Sequence, residues 1–383
     1  MDTARITALF HENFTLHGDL GASLSVWRDG REIISLAAGW CDRERTVPWT
    51  AQTPVLVWSA TKGPAAACVL HAMQEHGITP ATRVAEVWPE FSAHGKGAIT
   101  IGQMLSHQSG VSALDRAVSV FDHAAVAQAI AEQVPHWEPG TAHGYGPRLF
   151  GFLLDELVRR IAGRTLGEYW RTVFAEPLGL DFWIGVPEEI VAKVAPIFLP
   201  KAAPPKDRFY TAFVTPGSLT LRAFGSPDGL KSVAAMNAPE GRRASLPGFS
   251  GIGTAAALAK FYAMLASDGT LDGRTFFQPQ TLAWMNTTLA QGDDRVLLIE
   301  TAFSAGFMKD PLTLKGDPGS LDGKKLRAIF GPSPSAFGHP GAGGSHAFAD
   351  PEHRIALAYV MNQMEPGVLP GPKALRLVEA IYG

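Results

Sequence analysis

β-type runs lie at both ends of this chain and helical runs fill its middle, and that order limits the available folds more than any other feature. Near the N-terminus, Ala22 to Arg28 and Glu32 to Trp40 are joined at Asp29-Gly30, a strong signal for a two-residue hairpin turn. Near the C-terminus, Gly344 to Ala349 and Arg354 to Met361 are linked by Asp350-Pro351-Glu352-His353, and a helix over about Pro372 to Tyr382 closes the chain. Strands from both ends with helices between them predict an α/β (α+β) architecture: an antiparallel sheet flanked by helices, carrying an inserted, mainly helical lobe. The predicted sheet domain is discontinuous, 1–78 with 245–383, and the insertion is 79–244. A cleft between two lobes is a usual place for a small-molecule site.

The helical runs are legible from spacing and caps. Ile6, Leu9, Phe10 and Phe14 give residues 2–15 an amphipathic face. A buried-type helix begins at Ser59 and stops at His76-Gly77, and Thr100 caps a short helix to Leu105 that ends in a turn holding His107. Residues 122–134 and 146–162 read as helices separated by a loop rich in proline and glycine, with Tyr145 just before the second. Thr254 caps a helix over Ala255 to Ala266. From about 196 to 250, prolines at 196, 200, 204, 205, 216, 227, 239 and 247 argue against regular structure. A long irregular stretch in a compact protein is usually functional, so 196–244 is expected to wall a pocket with Phe209, Tyr210 and Phe213. Residues 305–338, rich in Gly, Pro, Lys and Ser, are expected to be a mobile loop.

Composition excludes several classes. A formal net charge of -3 and a 46% hydrophobic content give a globule with a large core and no basic stripe for nucleic acid. No run approaches the length of a membrane span and no leader pattern opens the chain, so a cytoplasmic location with no membrane contact is expected. Cys41 and Cys68 are expected to be free thiols. The twelve histidines show no ligand spacing, so neither a metal nor another cofactor is expected. Ser250 falls near a nucleophile-elbow pattern but lacks its second glycine, and reads as a loop residue. Oligomeric state stays open, a homo-oligomer included.

The stretch with chemistry in it is Ser59-Ala60-Thr61-Lys62, at the start of the apolar run Ala65 to Leu70. On a helix, residues i and i+3 share a face, so Lys62 can take the proton Ser59 must lose. Ser59 is the one serine in the chain followed three residues later by lysine.

These residues resemble the serine β-lactamase and penicillin-recognising family, nearest to class C β-lactamases and family VIII carboxylesterases. The resemblance runs through Ser59-Ala60-Thr61-Lys62, Ile101 to Gly110, Pro139-Gly140-Thr141 before Tyr145, and Asp268 to Gly273, and covers nearly the whole chain. It implies Tyr145 as the phenolic acid or base, with its pKa lowered by the Lys62 ammonium. The family's Y-x-N motif appears as Tyr145-Gly146-Pro147, keeping the tyrosine and losing the asparagine. Its K-T-G motif appears as His339-Pro340-Gly341, which implies His339 and Gly341 at the substrate and the amides of Ser59 and Ala342 as the oxyanion hole. His339 is expected to be mostly neutral near pH 7, with protonation at lower pH replacing the lost lysine.

The expected activity is that of a carboxylesterase acting on small esters through a Ser59 acyl-enzyme. Within the same resemblance stand a β-lactamase, a D-amino peptidase and a transacylase. A non-catalytic binding or scaffold member is the rival from another class, and retention of Ser59, Lys62 and Tyr145 argues against it.

Overall fold

The large side chains of the C-terminal strand, Ile355, Leu357, Tyr359 and Met361, point to one side of the sheet and the small ones, Ala356, Ala358 and Val360, to the other. In the computed structural model, which describes residues 1–313 and 324–383, that alternation sets the layering of the molecule. Thirteen strands occur among those residues: β1 (Gly21–Arg28), β2 (Arg31–Gly39), β3 (Val55–Leu56), β4 (Phe182–Ile184), β5 (Gly251–Gly253), β6 (Thr270–Leu271), β7 (Arg274–Thr275), β8 (Ala290–Asp293), β9 (Glu300–Phe303), β10 (Met308–Lys309), β11 (Phe337–Pro340), β12 (His346–Asp350) and β13 (Ile355–Met361). Eight form one antiparallel sheet in the order β2-β1-β13-β12-β11-β10-β9-β8.

β1 repeats the alternation, with Ala22, Leu24 and Val26 on the same face as Leu357 and Tyr359, and Ser23 and Ser25 opposite. The small face lets the alanine-rich helix Ala255–Ala266 approach the strands closely. The large face is covered by helices Thr3–Leu16 and Pro372–Tyr382 through Ile6, Phe10, Leu377, Val378 and Ile381. Each such side chain fully buried stabilises the fold by about 1.5–3 kcal/mol. The expected hairpin at Asp29-Gly30 forms, with both residues at positive φ. Among the described residues no helix is long and apolar enough to cross a membrane.

Two expectations need correction. The stretch from 196 to 250 is a string of short helices, Arg208–Val214, Leu219–Gly225, Val233–Asn237 and Pro239–Arg243. Asp207, Ser218 and Ser232 cap the first three through side-chain oxygens, and Pro239, read as a breaker, opens the fourth. Residues 305–313 and 324–338 are not a loose loop, whereas 314–323 lie outside the described residues. Met308–Lys309 pair in the sheet, and the buried Asp310 carboxylate accepts the N–H groups of Ile329 and Phe330, both at 3.1 Å, and Lys325 Nζ at 2.9 Å.

Candidate active site

Ser59 lies in a 3₁₀ turn, Trp58–Thr61, that runs straight into the α-helix Lys62–Glu75. Side chains three apart nearly eclipse in a 3₁₀ turn, which sets Lys62 Nζ 3.1 Å from Ser59 Oγ. Trp58 holds φ of 49° just before the nucleophile, a strained value for a bulky residue that persists only where its surroundings enforce it. Strand β5 supplies that enforcement: Val57 N–H donates to Gly251 O at 2.9 Å, and Gly251 N–H donates to Thr61 Oγ1 at 2.8 Å.

Lys62 is completely buried, yet no carboxylate touches it among the described residues. Its Nζ lies 2.8 Å from Pro147 O and 2.6 Å from Gly248 O. A neutral amine has two N–H donors and one lone pair. With three donors Lys62 serves both carbonyls and Ser59 Oγ, and once it is unprotonated the two carbonyls take its donors and the lone pair faces the Ser59 hydroxyl. Burial, and then the positive charge of Arg148, hold the Lys62 pKa well below that of an ordinary lysine, which fits the same state. The two carbonyls meet there because of two glycines. A Cβ on Gly151 would fall 2.1 Å from Gly248 N, so helix Leu149–Ala162 could not touch the Gly248 loop with any larger residue.

Tyr145 is 5% exposed, with its ring 4.9 Å from Lys62 Nζ, stacked on Phe303 and close to His107 and His339. The expected lowering of its pKa is overturned. Burial pushes the phenol above its ordinary value, so Tyr145 is a proton-bearing hydroxyl in the resting site. The Tyr145 backbone is fixed by Asp294, whose carboxylate accepts its N–H at 3.1 and 3.2 Å and those of Val296 and Leu297 at 2.8 Å.

The third-motif residues lie differently from expectation. His339 is 1% exposed and packs against Tyr145, outside the walls of the cavity beside Ser59. Its Nδ1 donates to Pro340 O at 2.7 Å, and burial depresses its pKa to about 3, so it stays neutral at pH 5.5 as at pH 7. Protonated His339 is thereby removed as a substitute for the missing lysine. Gly341 also lies outside those walls and serves a close approach: a Cβ there would sit 2.0 Å from Val57 O. That approach brings Ala342 to the cavity wall beside Ser59. Neither the Ser59 nor the Ala342 N–H has a hydrogen-bond partner within the described residues.

The cavity that opens on Ser59 has a volume of about 630 Å³. Trp58, Phe209, Tyr210, Phe213, Phe224 and Phe249 give it an aromatic wall, so the structure brings Phe209 and Tyr210 to the nucleophile as expected. The Tyr210 hydroxyl accepts the N–H of Gly367 at 2.7 Å, tying helix Arg208–Val214 to the loop opposite. The sequence reading missed Arg148, Asp294 and the loop from Met364 to Val368. Arg148 directly follows the altered second motif, and that adjacency was the available signal; Asp294 and the loop meet the site only through long-range packing. His107 is a turn residue, at φ of 61°, and its buried Nδ1 accepts the N–H of Gly146 at 3.2 Å. Ser250 is a buried turn residue whose Oγ donates to Ala244 O. Cys41 and Cys68 are both free.

An antiparallel sheet with helices on both faces and a cavity-facing serine beside a buried lysine at the start of a core helix define a serine hydrolase of the β-lactamase fold. Residues 9–380 match the Beta-lactamase family, and the chain belongs to it. It is 31% identical over 357 residues to the Esterase/beta-lactamase LipL of Mycobacterium tuberculosis, covering 90% of this chain and 77% of that protein. Among solved structures it is similar to a novel penicillin-binding protein homologue from Caulobacter crescentus, at 36% identity and a TM-score of 0.85 over 99% of this chain and 96% of that one. It is likewise similar to a family VIII carboxylesterase, at 31% identity and a TM-score of 0.86 over 99% and 96% of the two chains.

Proposed function

We propose that the protein is a carboxylesterase that cleaves small esters through an acyl group carried on Ser59. The observation that carries this reading is the aromatic cavity opening directly on Ser59, which can take an apolar ester part without a charged anchor. Names of relatives support it, since both the LipL protein and one similar structure are described as esterases. In this reading the inserted part, 79–244, brings Tyr145 and the cavity wall to a nucleophile held by the sheet part, 1–78 with 245–383.

In the first half-reaction the Lys62 lone pair accepts the Ser59 proton as Oγ attacks the ester carbonyl. The amides of Ser59 and Ala342 hold the oxyanion, a contribution of about 2.7–4 kcal/mol per donor in comparable sites. The C–O bond to the alcohol then breaks, and Tyr145 delivers a proton to the departing oxygen while Lys62 returns one to the phenol side. Water repeats the sequence on the acyl-enzyme and releases the acid. Pro147 supplies neither a side-chain amide nor an N–H where the resemblance puts asparagine, and His339 is neutral where it puts lysine. β-Lactams therefore lose two anchors that simple esters do not use. The test is kcat/KM for p-nitrophenyl butyrate against a chromogenic cephalosporin at pH 7. The ester should win, and a preference for the cephalosporin would reject the reading.

A further inference from the structure

Arg148 carries a buried charge that acts on Lys62 through space but takes no part in the bond changes above. It is 6% exposed and lines the same cavity as Ser59. Among the described residues it makes no ion pair. The carboxylate that acts on it electrostatically, Asp228, is exposed and already paired with Lys231. Its guanidinium lies 4.5 Å over the Phe249 ring and donates through Nη2 to Gly229 O and through Nη1 to Leu230 O, the latter at 3.2 Å. A guanidinium has five N–H donors, so these two carbonyls leave most of them unused. Nε is buried with no acceptor at all.

Burying a cation without a counter-charge is costly, and loss of one partner of a buried pair is strongly destabilising in general. A loop clamp alone does not require such a charge, because a neutral donor could satisfy the carbonyls of Gly229 and Leu230. Of the other ionisable groups in the cavity wall, Lys231 adds positive charge to the same side. Glu365, on the opposite loop, has its pKa raised to about 7 by burial, so it is mostly neutral below that pH and ionises above it. Below about pH 7 the wall is thus aromatic with one cationic corner.

We propose that Arg148 forms an anion subsite and that the preferred substrate is the half-ester of a dicarboxylic acid, whose far carboxylate accepts from the unused Nη N–H groups. This assignment rests on the esterase reading of Ser59 and deepens it. The reaction is unchanged in its bonds: the ester C–O bond breaks, the alcohol leaves with a proton, and water supplies the second oxygen of the released diacid.

The experiment compares kcat/KM for monomethyl glutarate and methyl pentanoate, followed by pH-stat, in the wild type and in Arg148→Met. The wild type should favour the charged ester, and the substitution should lower the ratio of the two constants about ten- to a hundredfold, the range for a hydrogen bond to a charged group. Using the ratio cancels any general loss of activity. A ratio that does not move, or a wild type that rejects the charged ester, overturns the subsite. Binding of glutarate to the wild-type protein, measured by calorimetry, gives a readout independent of turnover and of how the variant folds. Competition of that binding by methyl pentanoate places it in the cavity, and absence of binding overturns the proposal. If neither ester is hydrolysed but glutarate still binds in wild type and not in Arg148→Met, the subsite stands and the esterase reading falls.

Discussion

Replacing Gly341 by alanine should disable the oxyanion hole without touching any side chain that does chemistry. The added Cβ would sit 2.0 Å from Val57 O, and such contacts essentially never fall below 3.0 Å, so the end of β11 must move by about 1 Å. The obstacle cannot yield, because it is backbone and already accepts the N–H of Ala60 at 3.2 Å. Gly341 has no positive φ, so the effect is purely steric. The displaced residue is Ala342, one of the two candidate oxyanion donors, and a misplacement of about 1 Å costs about a hundredfold in rate in comparable sites. Loss of a whole donor costs about 10²–10³ in kcat. Overpacking of this size destabilises by about 1–3 kcal/mol, which leaves a protein of this size folded. The assay is kcat/KM on p-nitrophenyl butyrate beside a thermal melt, with the rate of phosphonate labelling as a check that uses the same hole. A folded variant with near wild-type turnover would refute the placement of Ala342 N–H in the reaction.

Four further outcomes are expected. Phe209→Ala enlarges the aromatic wall, so it should move the preferred acyl length of a p-nitrophenyl ester series more than it moves the melting temperature; an unmoved profile would take Phe209 out of the substrate's path. Because the Lys62 pKa is depressed, kcat/KM should reach its plateau at a lower pH than an ordinary lysine base would allow and fall as acid protonates Lys62. With His339 depressed to about 3, the ester-to-cephalosporin ratio should be the same at pH 5.5 as at pH 7, and a ratio that shifts would return His339 to the substrate. Asp294→Asn keeps an acceptor for Val296 and Leu297 at Oδ1 but puts an NH2 where Oδ2 now accepts the Tyr145 N–H, so kcat should fall with KM little changed and stability should drop by about 1–3 kcal/mol; an equal loss in both constants would make Asp294 a packing residue only.

Periodicity carried most of the fold. The Asp29-Gly30 hairpin, the Thr254-capped helix and the strands at both ends were legible because each depends on neighbours in sequence. The closeness of Ser59 and Lys62 was legible for the same reason, since they lie one turn apart. What escaped was long-range. The protonation state of Lys62 depends on Pro147 O and Gly248 O, which converge only because Gly151 and Gly248 allow a helix and a loop to touch. The fall of His339 out of the titratable range follows from complete burial, which no local pattern announces. In the stretch from 196 to 250 the prolines misled, since Asp207, Ser218 and Ser232 were caps that outweighed them.

The central claim is that Ser59 is the nucleophile and neutral Lys62 its base, and mass spectrometry of fluorophosphonate-treated protein tests it most directly. One adduct per chain should form on the peptide containing Ser59, turnover should be lost in step with it, and labelling should slow by orders of magnitude in Lys62→Met. Complete loss of turnover with the label on another residue, or full turnover with Ser59 blocked, would contradict the account.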